Sequence, residues 1–332
     1  MDKIKFAIVG CGLIGQKRLP TLAPEQLITA CDLELSRAEA LVKKMGHGKA
    51  TTSIEEAIFN PAVDAVIIAT INKDLAPLTL KALQAGKHVL VEKPAACSVK
   101  ELTLVIAEAK KQKRCVRIGY NHRYHPALQK ARQIVDSGEL GPLLFIRGRY
   151  GHGGRVGYEK EWRANKELSG GGELIDQGVH LIDLSRWFLG DFPHVHGTAS
   201  TFFWKMPVDD NAFMELKTQQ GQVAWLHASC SEWKNMFSFE IYGRDGKLQV
   251  DGLGGSYGVE RLSYYKMKPE MGPPDTIIYE YPGADTSWQL EMDEFIRDIE
   301  QGRASNPGLA DAKAALEIVE KVYAQSGSTG KK

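Results

Sequence analysis

The 332-residue sequence has no excess of charge of one sign, few cysteines and no long apolar run. Lysine and arginine total 42 against 41 aspartates and glutamates, a net charge of +1. Partners that usually draw on a basic excess, nucleic acid and anionic membrane surfaces, are therefore not expected. The five cysteines (Cys11, Cys31, Cys97, Cys115, Cys230) contain no C-x-x-C pair. An odd count without that spacing reads as reduced thiols in a cytoplasmic protein, without a disulfide framework or a zinc site. His122 and His125 stand three apart, and His194 and His196 two apart. No cysteine or carboxylate completes a metal shell around either pair, so no metal is expected. Nothing approaches the ~18–20 apolar residues of a membrane span. The apolar run that ends at Gly10 is too short for the core of a signal peptide.

What is present is enough chain for two domains. Residues 1–122 alternate short runs rich in Val, Ile and Ala with amphipathic stretches. Strands are expected at 4–9, 27–31, 65–69, 88–91 and 116–119, and helices at 13–22, 36–44, 75–85 and 98–111. Ser36 and Ser98 read as N-caps and Gly86 as the glycine after a helix end. Strands alternating with helices imply a parallel sheet covered on both faces. Residues 123–332 read differently. Helices are expected at 126–136 and 173–188, and a strand at 143–150. Strand-like segments then follow at 196–204, 211–218, 222–229, 237–243, 247–250, 260–266 and 276–280. Short turns between them describe a mainly antiparallel sheet. Two closing helices, 287–300 and 309–324, precede a frayed tail over 326–332.

Three motifs carry chemistry. Gly10-Cys11-Gly12-Leu13-Ile14-Gly15 is a G-x-G-x-x-G between an expected strand and an expected helix, the setting of a dinucleotide pyrophosphate loop. Its glycines allow a tight turn, close approach of the phosphates, and packing of the helix on the strand. The helix N-terminus offers free N–H groups to the phosphates. Asp32 ends the second strand 17 positions after Gly15, where a carboxylate accepts from the ribose hydroxyls and repels a 2′-phosphate. NAD is thus favoured over NADP, with Arg37 as the side chain that would accommodate the phosphate.

The second motif, Glu92-Lys93-Pro94, follows an apolar strand. A lysine at the carboxyl end of a parallel strand points into the ligand crevice, where its ammonium can stabilise an alkoxide; the alternative is a surface ion pair. The third is Gly170-Gly171-Gly172-Glu173 leading to Asp176, His180 and Asp183. On a helix, Asp176 and His180 share one face. The carboxylate can orient the imidazole and stabilise its protonated form, as in proton transfer; a purely structural pair is the alternative. The triple glycine lets another group approach the first helical turn. Eight glycines between Gly148 and Gly172 read as a mobile lid or as a solvent loop.

Together these motifs resemble the glucose-fructose oxidoreductase / inositol dehydrogenase / rhizopine-catabolism (Gfo/Idh/MocA) family. The likeness extends through Gly119-Tyr120-Asn121-His122-Arg123-Tyr124, Trp162-Arg163 and Asp311-Ala312 to essentially the whole chain. It implies an α/β protein: an N-terminal Rossmann dinucleotide-binding domain, then an α/β domain with an open, mainly antiparallel sheet, often buried between copies in a homodimer or homotetramer. It implies hydride transfer between nicotinamide and a sugar or cyclitol carbon, with Lys93, Asp176 and His180 as the catalytic trio. Cofactor contacts are expected from Gly10, Gly12, Leu13, Ile14, Gly15, Asp32, Arg37, Thr70, Asn72, Glu92, Lys93 and Asn121. Substrate contacts are expected from Lys93, Asn121, Arg123, Tyr150, Arg163, Asp176 and His180. The sequence departs from the family where Ile71 and Leu75 replace proline and histidine of A-T-P-x-x-x-H, and where Arg18 replaces histidine. Two rivals to a sugar dehydrogenase stay open: redox-neutral sugar modification through transient oxidation by NAD, and a dinucleotide sensor without chemistry.

Overall fold

Phe6–Val9 forms the first strand, β1, because four consecutive apolar residues are buried together only inside a sheet covered on both faces. The computed structural model describes residues 3–329. After β1 come α1 (Leu13–Arg18), β2 (Leu27–Cys31), α2 (Leu35–Met45), β3 (Lys49–Thr51), α3 (Ile54–Ile58) and β4 (Ala65–Ile68). Next are α4 (Asn72–Gln84), β5 (His88–Glu92), α5 (Val99–Gln112) and β6 (Val116–Gly119). The six strands are parallel, in the order β3-β2-β1-β4-β5-β6. Strand order reverses between β1 and β4, and the crevice at their carboxyl ends is where such sheets bind dinucleotides.

Helix ends follow local chemistry. Ser98 caps α5, its Oγ accepting from the Glu101 N–H at 3.3 Å, and Gly86 follows α4 with φ +73°. Ser36 does not cap α2. That helix starts one residue earlier, behind Glu34, and Ser36 lies inside its first turn. The short β3–α3 pair was not expected; Ser53 caps α3 by accepting from the Glu56 N–H at 3.1 Å.

The remaining elements are α6 (Pro126–Asp136), β7 (Leu143–Gly151), α7 (Lys166–Ser169), a π-helical turn (Leu174–Gly178) and α8 (Val179–Leu189). Seven strands follow: β8 (His194–Ser200), β9 (Asn211–Lys217), β10 (Val223–Ser229), β11 (Met236–Gly243), β12 (Gly246–Asp251), β13 (Glu260–Lys266) and β14 (Asp275–Tyr281). Helices α9 (Ser287–Gln301) and α10 (Leu309–Thr329) close the chain.

The chain divides into two units, one reaching to Tyr120 and including Trp288–Lys313, the other Asn121–Ser287 with the residues from Ala314. In the first, Met292 and Phe295 of α9 join Phe6, Ile8, Leu27 and Leu41 in one apolar core. The second holds an eight-stranded sheet ordered β14-β13-β12-β11-β7-β10-β9-β8, antiparallel except where β7 and β10 run together. Helix α8 packs on β7 and β10. Phe213 and Trp225 stand exposed on the sheet.

Three further sequence expectations are corrected. The helix expected over 173–188 opens with the π turn rather than as one α-helix. The strand expected over 196–204 stops at Ser200, because the Asp210 carboxylate gathers the N–H groups of Phe202, Phe203 and Trp204 at 2.7–2.9 Å and turns the chain. The tail expected over 326–332 is helical to Thr329, and its last three residues lie outside the described residues.

Candidate active site

In the first unit the glycine loop sorts its three glycines by what surrounds them. Gly10 has φ +94°, and a Cβ there would lie 2.4 Å from the Ala69 carbonyl oxygen. A Cβ on Gly15 would lie 2.1 Å from the Gly10 oxygen. The first and third glycines are thus required by the protein's own backbone. A Cβ on Gly12 meets nothing within 4 Å, so the second glycine borders open space. Gly12 caps α1 without a side-chain bond, leaving Leu13 and Ile14 to open the helix with N–H groups available to a phosphate. This arrangement fits a dinucleotide pyrophosphate.

Asp32 is bound to the same loop. Its Oδ2 accepts from the Cys11 N–H at 2.8 Å and its Oδ1 from the Glu34 N–H at 3.0 Å. Each oxygen has a second acceptor position for a ribose hydroxyl. Arg37, expected near the cofactor, spends its guanidinium on exposed Glu34, at 2.9 and 3.0 Å. Thr70 donates weakly to the Ile71 carbonyl at 3.4 Å, and buried Asn72 opens α4.

Glu92 is placed differently from the expectation that it meets the cofactor. Its carboxylate is buried and accepts from Arg18 Nε at 2.8 Å and Nη2 at 2.5 Å. Both donors converge on Oε1, and Oε2 takes no part in the pair. Lys93 follows in a turn closed by the Ala95 N–H donating to the Glu92 carbonyl at 3.0 Å, with a cis bond to Pro94.

In the second unit, Asn121 donates from Nδ2 to Ser287 Oγ at 2.9 Å, and its Oδ1 accepts from His122 Nδ1 at 3.3 Å. The buried His122 ring stacks on that of His180, with centroids 3.8 Å apart. Tyr150 of β7 stands edge-on to both imidazoles. Its hydroxyl is hydrogen-bonded to Tyr257, and burial drives its pKa far above the ordinary phenol value. His125 faces Glu260 at 2.9 Å.

Two arginines expected at the substrate bind carboxylates of the protein. Arg163 Nε donates to Asp176 Oδ2 at 3.0 Å. Arg123 forks onto buried Asp183 at 2.8 and 2.6 Å, an ion pair that anchors the 121–124 turn to α8. Buried Asp176 lies within the π turn, and such turns recur at functional sites.

The triple glycine serves the protein itself. A Cβ on Gly171 would fall 2.1 Å from the Tyr323 hydroxyl, and one on Gly172 1.9 Å from the Asp209 carbonyl oxygen. Asp209 also accepts from the N–H groups of Gly172 and Leu174, at 2.9 and 2.8 Å.

The glycine-rich segment after β7 contains two 3₁₀ turns and α7. Tyr158 is buried and donates to Glu173 Oε1 at 2.8 Å. His152 lies 3.5 Å from the same oxygen. Burial lowers the His152 pKa, but the bond to Glu173 and its charge outweigh that and raise it. In the sequence Glu173 ends the triple-glycine motif and His152 and Tyr158 lie in the glycine-rich segment, but no signal there pairs them, and none marks Tyr257.

Residues 4–120 match the oxidoreductase family with an NAD-binding Rossmann fold, and 128–249 match the GFO/IDH/MocA C-terminal domain. The chain belongs to the GFO/IDH/MocA family. It is an NAD-dependent oxidoreductase. Within the family it is 27% identical to the D-glucoside 3-dehydrogenase of Escherichia coli over 98% of this chain and 96% of that one. It is 32% identical to the inositol 2-dehydrogenase of Salmonella typhimurium over 57% of this chain and 55% of that one. Its fold matches the structure of a levoglucosan dehydrogenase in complex with NADH and L-sorbose, with a TM-score of 0.87, 21% identity and coverage of 99% and 98%. Among the described residues no helix is long and apolar enough to cross a membrane.

Proposed function

We propose that the protein transfers hydride between NAD and a secondary alcohol carbon of a sugar, cyclitol or sugar derivative. The observation that carries this reading is a buried imidazole, His180, four residues after a buried carboxylate, Asp176, that is itself held by Arg163. Relatives named for glucosides and inositol favour cyclic polyols as substrate.

NAD, when bound, supplies the hydride acceptor. The backbone of Gly10, Gly12, Leu13, Ile14 and Gly15 would hold its pyrophosphate and Asp32 its ribose, with Thr70, Asn72 and Asn121 beside the rest. His180 accepts the hydroxyl proton, and Asp176 orients the ring and stabilises the imidazolium. The Lys93 ammonium hydrogen-bonds the same oxygen and stabilises the alkoxide. In reduction His180 returns the proton. Tyr150 borders the imidazole and excludes water from it. The reading includes a cytoplasmic homodimer or homotetramer.

The test is NADH formation from NAD across free sugars, cyclitols, sugar acids and nucleotide sugars. NADH from at least one cyclic polyol is expected. Conversion of a sugar without NADH would replace the reading with redox-neutral chemistry, and no conversion of any would overturn it.

A further inference from the structure

Arg18 is the last residue of α1, and its side chain is wholly buried among charges. Beyond its fork on Glu92, its Nη1 lies 2.6 Å from Oε2 of Glu291, which is also fully buried. The ring of Trp288 covers the guanidinium, 4.5 Å from the central carbon. Gly119 makes room: a Cβ there would lie 2.8 Å from Glu92 Oε2 and 2.9 Å from Arg18 Nη2. One cation therefore ties together α1, the end of β5 and α9.

The two ends of this tie matter. Helix α1 begins at the glycine loop, and Glu92 directly precedes Lys93. Two donors in the guanidinium plane converge on Oε1 of Glu92 and fix that oxygen in distance and direction, which a lysine's rotatable ammonium does not. Removing one partner of a buried pair leaves an uncompensated charge, so the tie cannot loosen gradually.

We propose that Arg18 is a positioning residue which, through Glu92, holds Lys93 in register with the pyrophosphate loop. This rests on the reading of Lys93 as a group that meets the nicotinamide and the substrate oxygen. Arg18 thus occupies a place filled by histidine in many family members, and links the cofactor loop to the reacting end of the site.

The test needs no substrate. Lysines are methylated with ¹³C-formaldehyde and borohydride, the Lys93 signal is assigned by its loss in Lys93→Arg, and NADH is titrated in. Arg18→Met combined with Glu92→Gln removes both charges of that pair, and Glu291, which burial already pushes up to about 7, takes up a proton once Arg18 is gone, so no lone ion is left buried. In that double variant NADH affinity is expected to fall about 10- to 100-fold, the scale of a small misplacement. The Lys93 signal is expected to miss its wild-type bound position at saturation. If the double variant does not fold, Arg18→Lys, which keeps the charge and loses the fork, carries the same two readouts. Wild-type affinity together with the wild-type Lys93 shift in the folded variant overturns the proposal and confines Arg18 to stability. A wild-type Lys93 signal that ignores NADH overturns the reading of Lys93 itself, and the proposal with it.

Discussion

The imidazole of His122 lies face to face with that of His180, with 3.8 Å between centroids and 25° between planes. His122 is in turn anchored through Asn121 to Ser287, whose hydroxyl donates to Asp285 at 2.6 Å. The ring proposed to move the proton therefore rests on a second ring held by a chain of hydrogen bonds.

His180→Ala is expected to reduce kcat by about 10²–10⁴, the usual loss for a positioned proton-transfer group. His122→Ala should cost about tenfold by letting the His180 ring turn, and His122→Phe, which restores a stacking surface, should recover most of it. NADH affinity should change little in all three. Steady-state kinetics on the best substrate, with NADH fluorescence titration, check this. A His180→Ala enzyme as fast as wild type removes the histidine from the mechanism.

Asp32→Ser should lower NAD affinity twice over. The ribose loses an acceptor, and the Cys11 N–H loses the bond that holds the loop. The ratio of kcat/KM for NADP to that for NAD should rise, because a 2′-phosphate no longer meets a carboxylate. A wild type that already prefers NADP contradicts the role given to Asp32.

Burial pushes the Glu291 carboxyl from 4.5 up to about 7, with Arg18 pulling it down and the Glu92 charge pushing it up. A folded-state pKa above the unfolded one means that the folded protein holds the proton more tightly. That stabilisation is complete below about pH 4.5 and is lost as pH rises to about 7. The loss is on the order of 3 kcal/mol. Glu291→Gln cannot titrate, so its unfolding midpoint should fall less than that of wild type between pH 5 and 8, values that span the transition. Parallel melting curves across that range would place the titration elsewhere.

Gly12 and Gly172 should separate binding from folding. Gly12→Ala places its methyl in open space, so the melting temperature should stay near wild type while NADH affinity drops. Gly172→Ala drives a methyl onto the Asp209 carbonyl and should cost about 3 kcal/mol or more, or prevent folding. Thermal unfolding with and without NADH distinguishes them. Unchanged NADH binding in Gly12→Ala would remove the loop from the pyrophosphate site.

The parallel sheet was legible because runs such as Ala65–Ile68 are apolar throughout and the glycine motif fixes where the first strand ends. The β3–α3 pair was not: three strand residues, mostly open to solvent, and a five-residue helix leave no period to count. Spacing located the charged residues of the site but not their partners. Arg18 meets Glu92 across 74 positions and Arg123 meets Asp183 across 60, separations on which helical or strand periodicity is silent. Arg163 was seen as a site residue, while its bond to Asp176 depends on the path of the turns after β7. The apolar face of α9 was readable; that Met292 and Phe295 serve the first core was not, since periodicity says a face is buried and not against what.

The Tyr323 hydroxyl accepts from the Gly172 N–H at 3.1 Å and donates to Asp209 at 2.8 Å. The residues that open the proposed proton-transfer helix are thus fastened by a side chain made 151 positions later. On the ribosome, that fastening waits until α10 has been synthesised and has left the exit tunnel. Until then the turn holding Asp176 has its sequence and its strands but not its clasp. Maturation of the site is accordingly timed by the translation of α10 and not by that of the helix it serves.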